Sequence, residues 1–397
     1  MIKSFKYRIL PTKKQKELLI STLITCRFLY NNSLAERIEK YKEDKTSITY
    51  TQQANNLAEN KNDYQKKVHS QVLQDVLKRL DKTYANFFRR IKNKEKKAGF
   101  PRFKPEQRYN SFCYPQSGFR LTNNEKRIEL SKIGDIRIKY HRPIPSKPKT
   151  CIVVRDIDQW FVVFTCEIED RIIEKSDKPE IGIDVGISNY LTLSNGKTFD
   201  NPRTLIKSQD KLVKAQRQLS KKVIGSKNRT KQRIVVAKTH RKIRNQRNDF
   251  LHKLSTHLVQ EYGLIVFENL NIRNMVKNHK LAKHISDASW NKLIQMTTYK
   301  AVGANCVVEL VDPKNTSQNC SVCGNKVSKT LGDRVHKCPA CGVELDRDLN
   351  AAINIKNRAG TVRIKSCGDD VRQEEIEKSK SSRNLLRNKK PHGLSVW

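Results

Sequence analysis

With 397 residues, 37% hydrophobic and 30% charged, the chain is long enough for two or three domains built around modest cores. Its 80 Lys and Arg against 40 Asp and Glu leave a formal net charge of +40, far beyond what solubility requires, so a polyanion is the expected partner, nucleic acid ahead of an anionic membrane surface. No apolar stretch is long enough to span a bilayer, no basic amphipathic helix stands apart from folded sequence, and the N-terminus is charged from its third residue without the apolar run of a secretory leader, so membrane attachment and export are set aside.

"IKSFKYRIL" alternates like a short strand, Pro11 stops it, and from Thr12 the apolar residues Leu19, Leu23, Cys26, Tyr30 and Leu34 recur at helical spacing. A second helix follows. Leu73, Val76, Leu77, Leu80, Tyr84, Phe87, Phe88 and Ile91 line one face of "VHSQVLQDVLKRLDKTYANFFRRIK", with basic residues opposite, the pattern of a helix-bundle core. After Gly99 come short alternating segments, "FRLTNN", "KRIEL", "DIRIKY", "CIVVRD" and "WFVVFTCEI", separated by Asn, Gly and Pro turns. These read as a small antiparallel sheet or barrel, which the first strand is placed to join, leaving the early helices as an insertion in a split β domain.

From residue 180 the order is strand, strand, an Asn195-Gly196 hairpin turn, long helices, the strand "LIVFENL", helix, the strand "NCVVELVD", a cysteine segment and a last helix, "DLNAAINIKNR". That is the order of a ribonuclease-H-like α/β domain. Residues 207–248 hold 15 Lys and Arg and a single acid, Asp210; the one-sided sign fits a helical pair that contacts phosphates as well as it fits a solvated face. Beyond about residue 360 periodicity is lost and a largely disordered tail is expected.

Asp184 interrupts the alternation of Ile181, Ile183 and Val185, and Glu268 does the same to "LIVFENL". A carboxylate buried alone is costly. Asp348 opens the helix "DLNAAINI". Taken singly, each acid reads more readily as a salt-bridge partner in a lysine-rich chain, or, for Asp346 and Asp348, as a helix N-cap. Converging, the three can hold two divalent cations about 4 Å apart, which activate water and stabilise the leaving oxygen of a phosphodiester. Hard oxygen ligands with room for water favour Mg²⁺ or Mn²⁺ over Zn²⁺. Which of Asp346 and Asp348 caps and which binds metal is not decided by spacing.

"CSVCG" and "CPACG" place Cys320, Cys323, Cys338 and Cys341 in two knuckles fourteen residues apart, the spacing of a tetrahedral four-thiolate zinc site. With every position filled by protein the zinc is structural, and His336 is not needed as a ligand. The other cysteines, Cys26, Cys113, Cys151, Cys166, Cys306 and Cys367, sit singly in apolar or strand-like contexts and read as small buried hydrophobes of a reducing compartment.

Taken jointly, "FKYRILPTKKQKELL", "CRFLYNNSLAER", "LQDVLKRLDKTYANFFRR", "GFPRFK", "GIDVGISNY", "VFENL", "DPKNTSQNCSVCG" and "LDRDLNAAINI" make nearly the whole chain resemble the transposon-encoded TnpB proteins, relatives of the miniature type V CRISPR effectors. The resemblance implies a multidomain α+β architecture: a split wedge β-barrel over 1–10 and 99–178, an inserted helical recognition domain over 11–98, a RuvC nuclease domain over 179–315 and 343–360, a zinc ribbon over 316–342, and the tail over 361–397. It implies a monomeric ribonucleoprotein of the prokaryotic cytoplasm, associated with the nucleoid. A guide RNA from the transposon end would pair with double-stranded target DNA beside a short target-adjacent motif, and cleavage would need Mg²⁺ or Mn²⁺. Asp184, Glu268 and Asp348 match the catalytic acids, and the family pattern selects Asp348 over Asp346. Readers of the target-adjacent motif would lie near Ser70, Gln71 and Gln74 and near Asn110 and Ser111, residue types suited to base edges. Alternatives of the same charge and fold are an RNA-guided DNA-binding repressor, which a broken triad would mark, a transposition accessory protein, and an unguided RuvC-type nuclease.

Overall fold

The computed structural model describes residues 1–95, 98–122, 126–169, 176–330 and 332–359. Cys367 and the tail from 361 onward lie outside the described residues. The chain divides into two compact units, residues 1–170 and residues 171 onward. No helix of the described residues is long and apolar enough to cross a membrane.

In the first unit, β1 (Ile2–Leu10) ends at Pro11 and Thr12 caps α1 (Lys13–Asp44). The Thr12 hydroxyl accepts from the Gln15 backbone N–H while the Gln15 side chain accepts from the Thr12 N–H, a reciprocal capping box. Two elements passed over in the sequence, α2 (Tyr50–Glu59) and α3 (Asp63–Lys66), lead into α4 (Ser70–Lys92). Leu19, Cys26 and Leu34 of α1 and Leu73, Val76, Leu77 and Leu80 of α4 are buried in one core, each leucine worth about 1.5–3 kcal/mol. The stripe expected along α4 is core only in its first half. Tyr84 and Phe87 are partly buried, and Phe88 and Ile91 stay 60% and 50% exposed, because helical periodicity marks an apolar face without saying what covers it.

The remaining strands of this unit are β2 (Ser111–Tyr114), β3 (Phe119–Thr122), β4 (Arg127–Leu130), β5 (Gly134–Lys139), β6 (Thr150–Asp156) and β7 (Gln159–Glu167). With β1 they form an antiparallel sheet in the order β2-β6-β7-β1-β5-β4-β3. β1 pairs with β7 from Ile2↔Glu167 to Ile9↔Trp160 and with β5 on its other side, so α1–α4 are an insertion within the β sequence. The end strands β2 and β3 are joined by residues 115–118 alone. A flat sheet would hold them about 29 Å apart at about 4.8 Å per strand, whereas five extended residue steps reach roughly 18 Å. The sheet therefore curls, and the Tyr114 and Phe119 rings lie 6.5 Å apart. Cys26, Cys113, Cys151 and Cys166 are buried, and burial pushes the Cys26 thiol up to about 12.

The second unit is built on β8 (Glu180–Val185), β9 (Asn189–Leu193) and β10 (Thr198–Asp200), then α5 (Thr204–Lys207), α6 (Gln209–Ser220) and α7 (Lys227–Glu261). β11 (Leu264–Glu268), α8 (Ile272–Met275), α9 (Ala282–Ala288), α10 (Trp290–Ala301) and β12 (Val307–Val311) follow, and β13 (Val335–Lys337), β14 (Glu344–Asp346) and α11 (Arg347–Asn357) close the described chain. The sheet order is β10-β9-β8-β11-β12. β8 to β10 run antiparallel, while β11 is parallel to both β8 and β12. One face packs Ile181, Ile183 and Phe267 against Leu251, Leu254 and Leu258 of α7 and Leu293 of α10. The other packs Val266 and Val311 against Ile355 of α11. With both faces covered, the central strands read as short continuous apolar runs, against which a carboxylate stands out.

Candidate functional site

Asp184 and Glu268 sit at the carboxyl ends of adjacent parallel strands: Ile183 of β8 pairs with Phe267 of β11, which sets the two acids side by side one residue further on. Ile183 and Phe267 enter the core beneath α7 and α10. Strand alternation therefore turns Asp184 and Glu268 to the opposite face, where α11 packs. α11 delivers Asp348 in its first turn.

Asp346 is the cap. Its carboxylate accepts from the backbone N–H of Asp348 at 2.9 Å and of Leu349 at 3.0 Å, leaving the Asp348 side chain for other work. Asp348 Oδ1 accepts from Nε and Nη2 of Arg347 at 3.1 and 3.0 Å. Glu268 is buried and accepts from the Thr316 hydroxyl at 2.5 Å.

Burial holds the Asp184 carboxyl well above the usual range, and the neighbouring charges of Glu268 and Asp348 push it the same way against a smaller opposing pull from Arg347. Glu268 is also raised by burial, against the hydrogen bond from Thr316 and the charge of Arg358. Like charges thus meet in a poorly solvated place, the condition a divalent cation relieves. The acids offer hard oxygen donors of the kind Mg²⁺ or Mn²⁺ takes.

Cys320, Cys323, Cys338 and Cys341 bring their sulfurs within 4.8 Å of one another. The Cys320–Cys341 and Cys323–Cys338 sulfurs are 3.6 and 3.5 Å apart, close to the roughly 3.8 Å edge of a tetrahedron with Zn–S bonds of about 2.3 Å. The two knuckles are built alike. Gly324 and Gly342 take left-handed φ of 75° and 73° and donate backbone N–H to the Cys320 and Cys338 carbonyls, both at 2.9 Å. Backbone N–H groups, that of Cys341 first, pull the Cys338 thiol down to about 6, toward the thiolate a metal requires. The tetrad fits a structural zinc site. His336 is wholly buried with Nδ1 against the Lys329 ammonium, outside the tetrad.

The residues that tie the knuckles to the acids leave little mark in the sequence. Asn350 and Asn354, one turn apart on α11, both donate to the Asn319 carbonyl, at 2.8 and 2.7 Å. Asn354 also donates to the Thr316 carbonyl at 2.8 Å, and Asn350 Oδ1 accepts from the Ser321 N–H at 2.9 Å. The trace they leave is two asparagines at i and i+4 among alanines and isoleucines, polar groups that a buried helix face admits only with partners.

The suggested motif readers lie in the first unit. Ser70 and Gln74 are exposed on the first turns of α4. Gln71 is turned back, its side-chain oxygen accepting from the Ser117 N–H and hydroxyl at 3.0 Å. Asn110 is exposed, and the Ser111 carbonyl accepts from Arg79 of α4 at 3.0 Å. The basic run of residues 207–248 starts at the last residue of α5 and covers α6, the turn after it and the first part of α7.

A family model described as "Probable transposase" matches residues 163–279, and one described as "Cas12f1-like, TNB domain" matches residues 290–355, spanning the knuckles and α11. A "Helix-turn-helix domain" model matches residues 1–46, which here form β1 and the single helix α1. A "Putative RNA-guided DNA endonuclease" of Streptomyces pristinaespiralis is 36% identical over 397 residues, covering 97% of this chain and 95% of the relative. InsQ of Escherichia coli strain K12, described in the same words, is 32% identical over 390 residues, covering 93% and 95%. The CRISPR-associated endodeoxyribonuclease Cas12f1 of Sulfoacidibacillus thermotolerans is 27% identical over 215 residues, half of each chain. With likeness at 36% and 32% identity running along almost the full length of two such relatives, this chain belongs to the TnpB family, related to the miniature type V effectors.

Proposed function

We propose that this protein is a transposon-encoded, RNA-guided DNA endonuclease. It takes a guide RNA derived from the transposon end and hydrolyses double-stranded DNA that pairs with the guide beside a short target-adjacent motif. The placing of Asp184 beside Glu268 at the ends of β8 and β11, with Asp348 of α11 near enough to help raise the Asp184 carboxyl, supports this reading. Bound there, Mg²⁺ or Mn²⁺ would supply Lewis-acid stabilisation of the developing phosphate charge and a more acidic water.

The chain's own residues do the rest. Asp184 and Glu268 hold fixed positions on rigid strands, Thr316 orients Glu268, and Asp346 caps α11 so that Asp348 is presented from its first turn. Arg347 balances the charge of Asp348. In this reading residues 1–10 and 99–178 are the wedge, 11–98 the recognition helices, 179–315 and 343–360 a RuvC-like nuclease, and 316–342 a zinc ribbon that braces α11. Basic α6 and α7 contact phosphates, and Ser70, Gln71, Gln74, Asn110 and Ser111 are the side chains to test as motif readers. The working particle is a monomeric ribonucleoprotein.

The deciding experiment is expression with the native flanking DNA, purification at high salt, sequencing of the retained RNA, and a cleavage assay on matched DNA. One dominant RNA ending in a variable segment, with Mg²⁺-dependent cutting lost in Asp184→Ala, is the expected result. A heterogeneous RNA population, or cutting that survives Asp184→Ala, overturns the reading.

A further inference from the structure

The second half of α4 and the segment after it expose an aromatic surface that the nuclease site does not use. Phe87 lies 5.3 Å from both Phe88 and Phe100, and Tyr84 lies 6.2 and 5.9 Å from the same two rings. Phe88, Phe100 and Phe103 are 60%, 49% and 54% exposed, with Ile91 beside them on the helix.

The surface is held in place. Asn31 of α1 grips the backbone of Lys104 through two bonds, accepting from its N–H at 2.8 Å and donating to its carbonyl at 3.1 Å. Pro101 is buried, and the Lys104 ammonium lies over the Tyr30 ring. The loop thus presents Phe100 and Phe103 from fixed points.

Residues 82–104 carry nine Lys and Arg and one acid, Glu95, which stands 3.7 Å from Arg90. Basic residues in the last turn of a helix complement its dipole, but Arg89, Arg90, Lys92, Lys94 and Arg102 are all exposed on the same helix end and loop that carry the rings. Aromatic faces bordered by cations are what unpaired bases on a phosphate backbone stack upon, at about 1–3 kcal/mol per base.

We infer that Phe88 and Phe100, joined through Phe87 and Tyr84, form a stacking platform for unpaired bases of the RNA that the protein carries. This rests on the reading above. RNA is chosen over a single DNA strand because an exposed apolar patch of this kind calls for a lasting cover, and a guide stays bound between DNA encounters.

The test is the dissociation rate of copurified RNA from the full-length complex under a heparin chase, for wild type, the Phe88→Leu/Phe100→Leu double variant and the Phe88→Tyr/Phe100→Tyr double variant. Leucine keeps the apolar bulk and removes the π face, whereas tyrosine restores it. The leucine pair is expected to release RNA about tenfold faster or more with an unchanged salt dependence, and the tyrosine pair to behave as wild type. Equal release by all three overturns the inference, as does a leucine pair that holds its RNA but loses affinity for a 12-nucleotide single-stranded DNA. Should the wild type retain no discrete RNA, the guided reading fails separately. The affinity of the same variants for an unstructured 12-nucleotide RNA then tests the platform, and an unchanged affinity overturns it.

Discussion

Gly182 and Ala352 approach so closely that no side chain fits between them. A Cβ on Gly182 would stand 2.2 Å from the Ala352 carbonyl oxygen and 2.5 Å from the Lys356 nitrogen. Gly182 precedes Asp184 by two residues and Ala352 follows Asp348 by four, so this contact sets the distance between two of the three acids. Gly182→Ala should destabilise the protein by about 1–3 kcal/mol or more, since backbone must move, and should depress cleavage further than the unfolded fraction explains. Urea unfolding beside cleavage rates checks this. Gly332→Ala, whose added Cβ would meet nothing nearer than 3.7 Å, is the neutral control.

Asp184 is raised by burial and by its two acidic neighbours, so its ionisation opposes folding. The penalty begins above the unfolded carboxylate value of about 3.9 and grows as pH rises toward the folded value. In chelator at neutral pH, Asp184→Asn should therefore melt higher than wild type, and the difference should close as pH falls below about 4. Adding Mg²⁺ should raise the wild-type melting temperature and leave the variant's unmoved. A variant that melts lower in chelator would contradict the electrostatic account.

Asp346 and Asp348 are separable. Asp346→Ala removes a cap that satisfies two backbone N–H groups and should cost about 0.5–2 kcal/mol of stability. Asp348→Ala should cost little stability and lower cleavage about a hundredfold or more. Denaturant unfolding and single-turnover cleavage on both variants distinguish the roles.

Zinc should be found at one atom per chain, and Cys338→Ser should release it. Asn350 and Asn354 bond the first knuckle and its approach to α11, so zinc loss should also loosen Asp348. Stripping the ion should lower stability by roughly 4 kcal/mol where free zinc had been about a thousandfold above its dissociation constant. Metal analysis with hydrogen exchange over 313–359 reads both effects. Unchanged protection on α11 after zinc loss would separate the two sites.

Much of this was legible in the chain. Pro11 and Thr12 mark the junction of β1 and α1, the alternating segments after Gly99 mark most of the first sheet, and paired C-x-x-C knuckles mark a tetrahedral site, because each rests on chemistry within a few residues. The weaker places are short or polar elements. α2 and α3 lack an apolar stripe long enough to read, and β2 shows no alternation, since three of its four residues are buried.

A charge of +40 points to a polyanionic partner, and acids set in apolar strands and cysteines in glycine-ended knuckles stand out as candidate donors in the chain alone. Folding adds the bonds by which Asp346 caps α11, the ties from Thr316, Asn350 and Asn354 between the knuckle segment and the acids, and the division of the α4 stripe into core at Leu73 and surface at Phe88. The physical reason is common to all three. A residue's type and spacing fix which face it occupies and which bonds it can make, but the group that takes those bonds comes from chain tens of residues away.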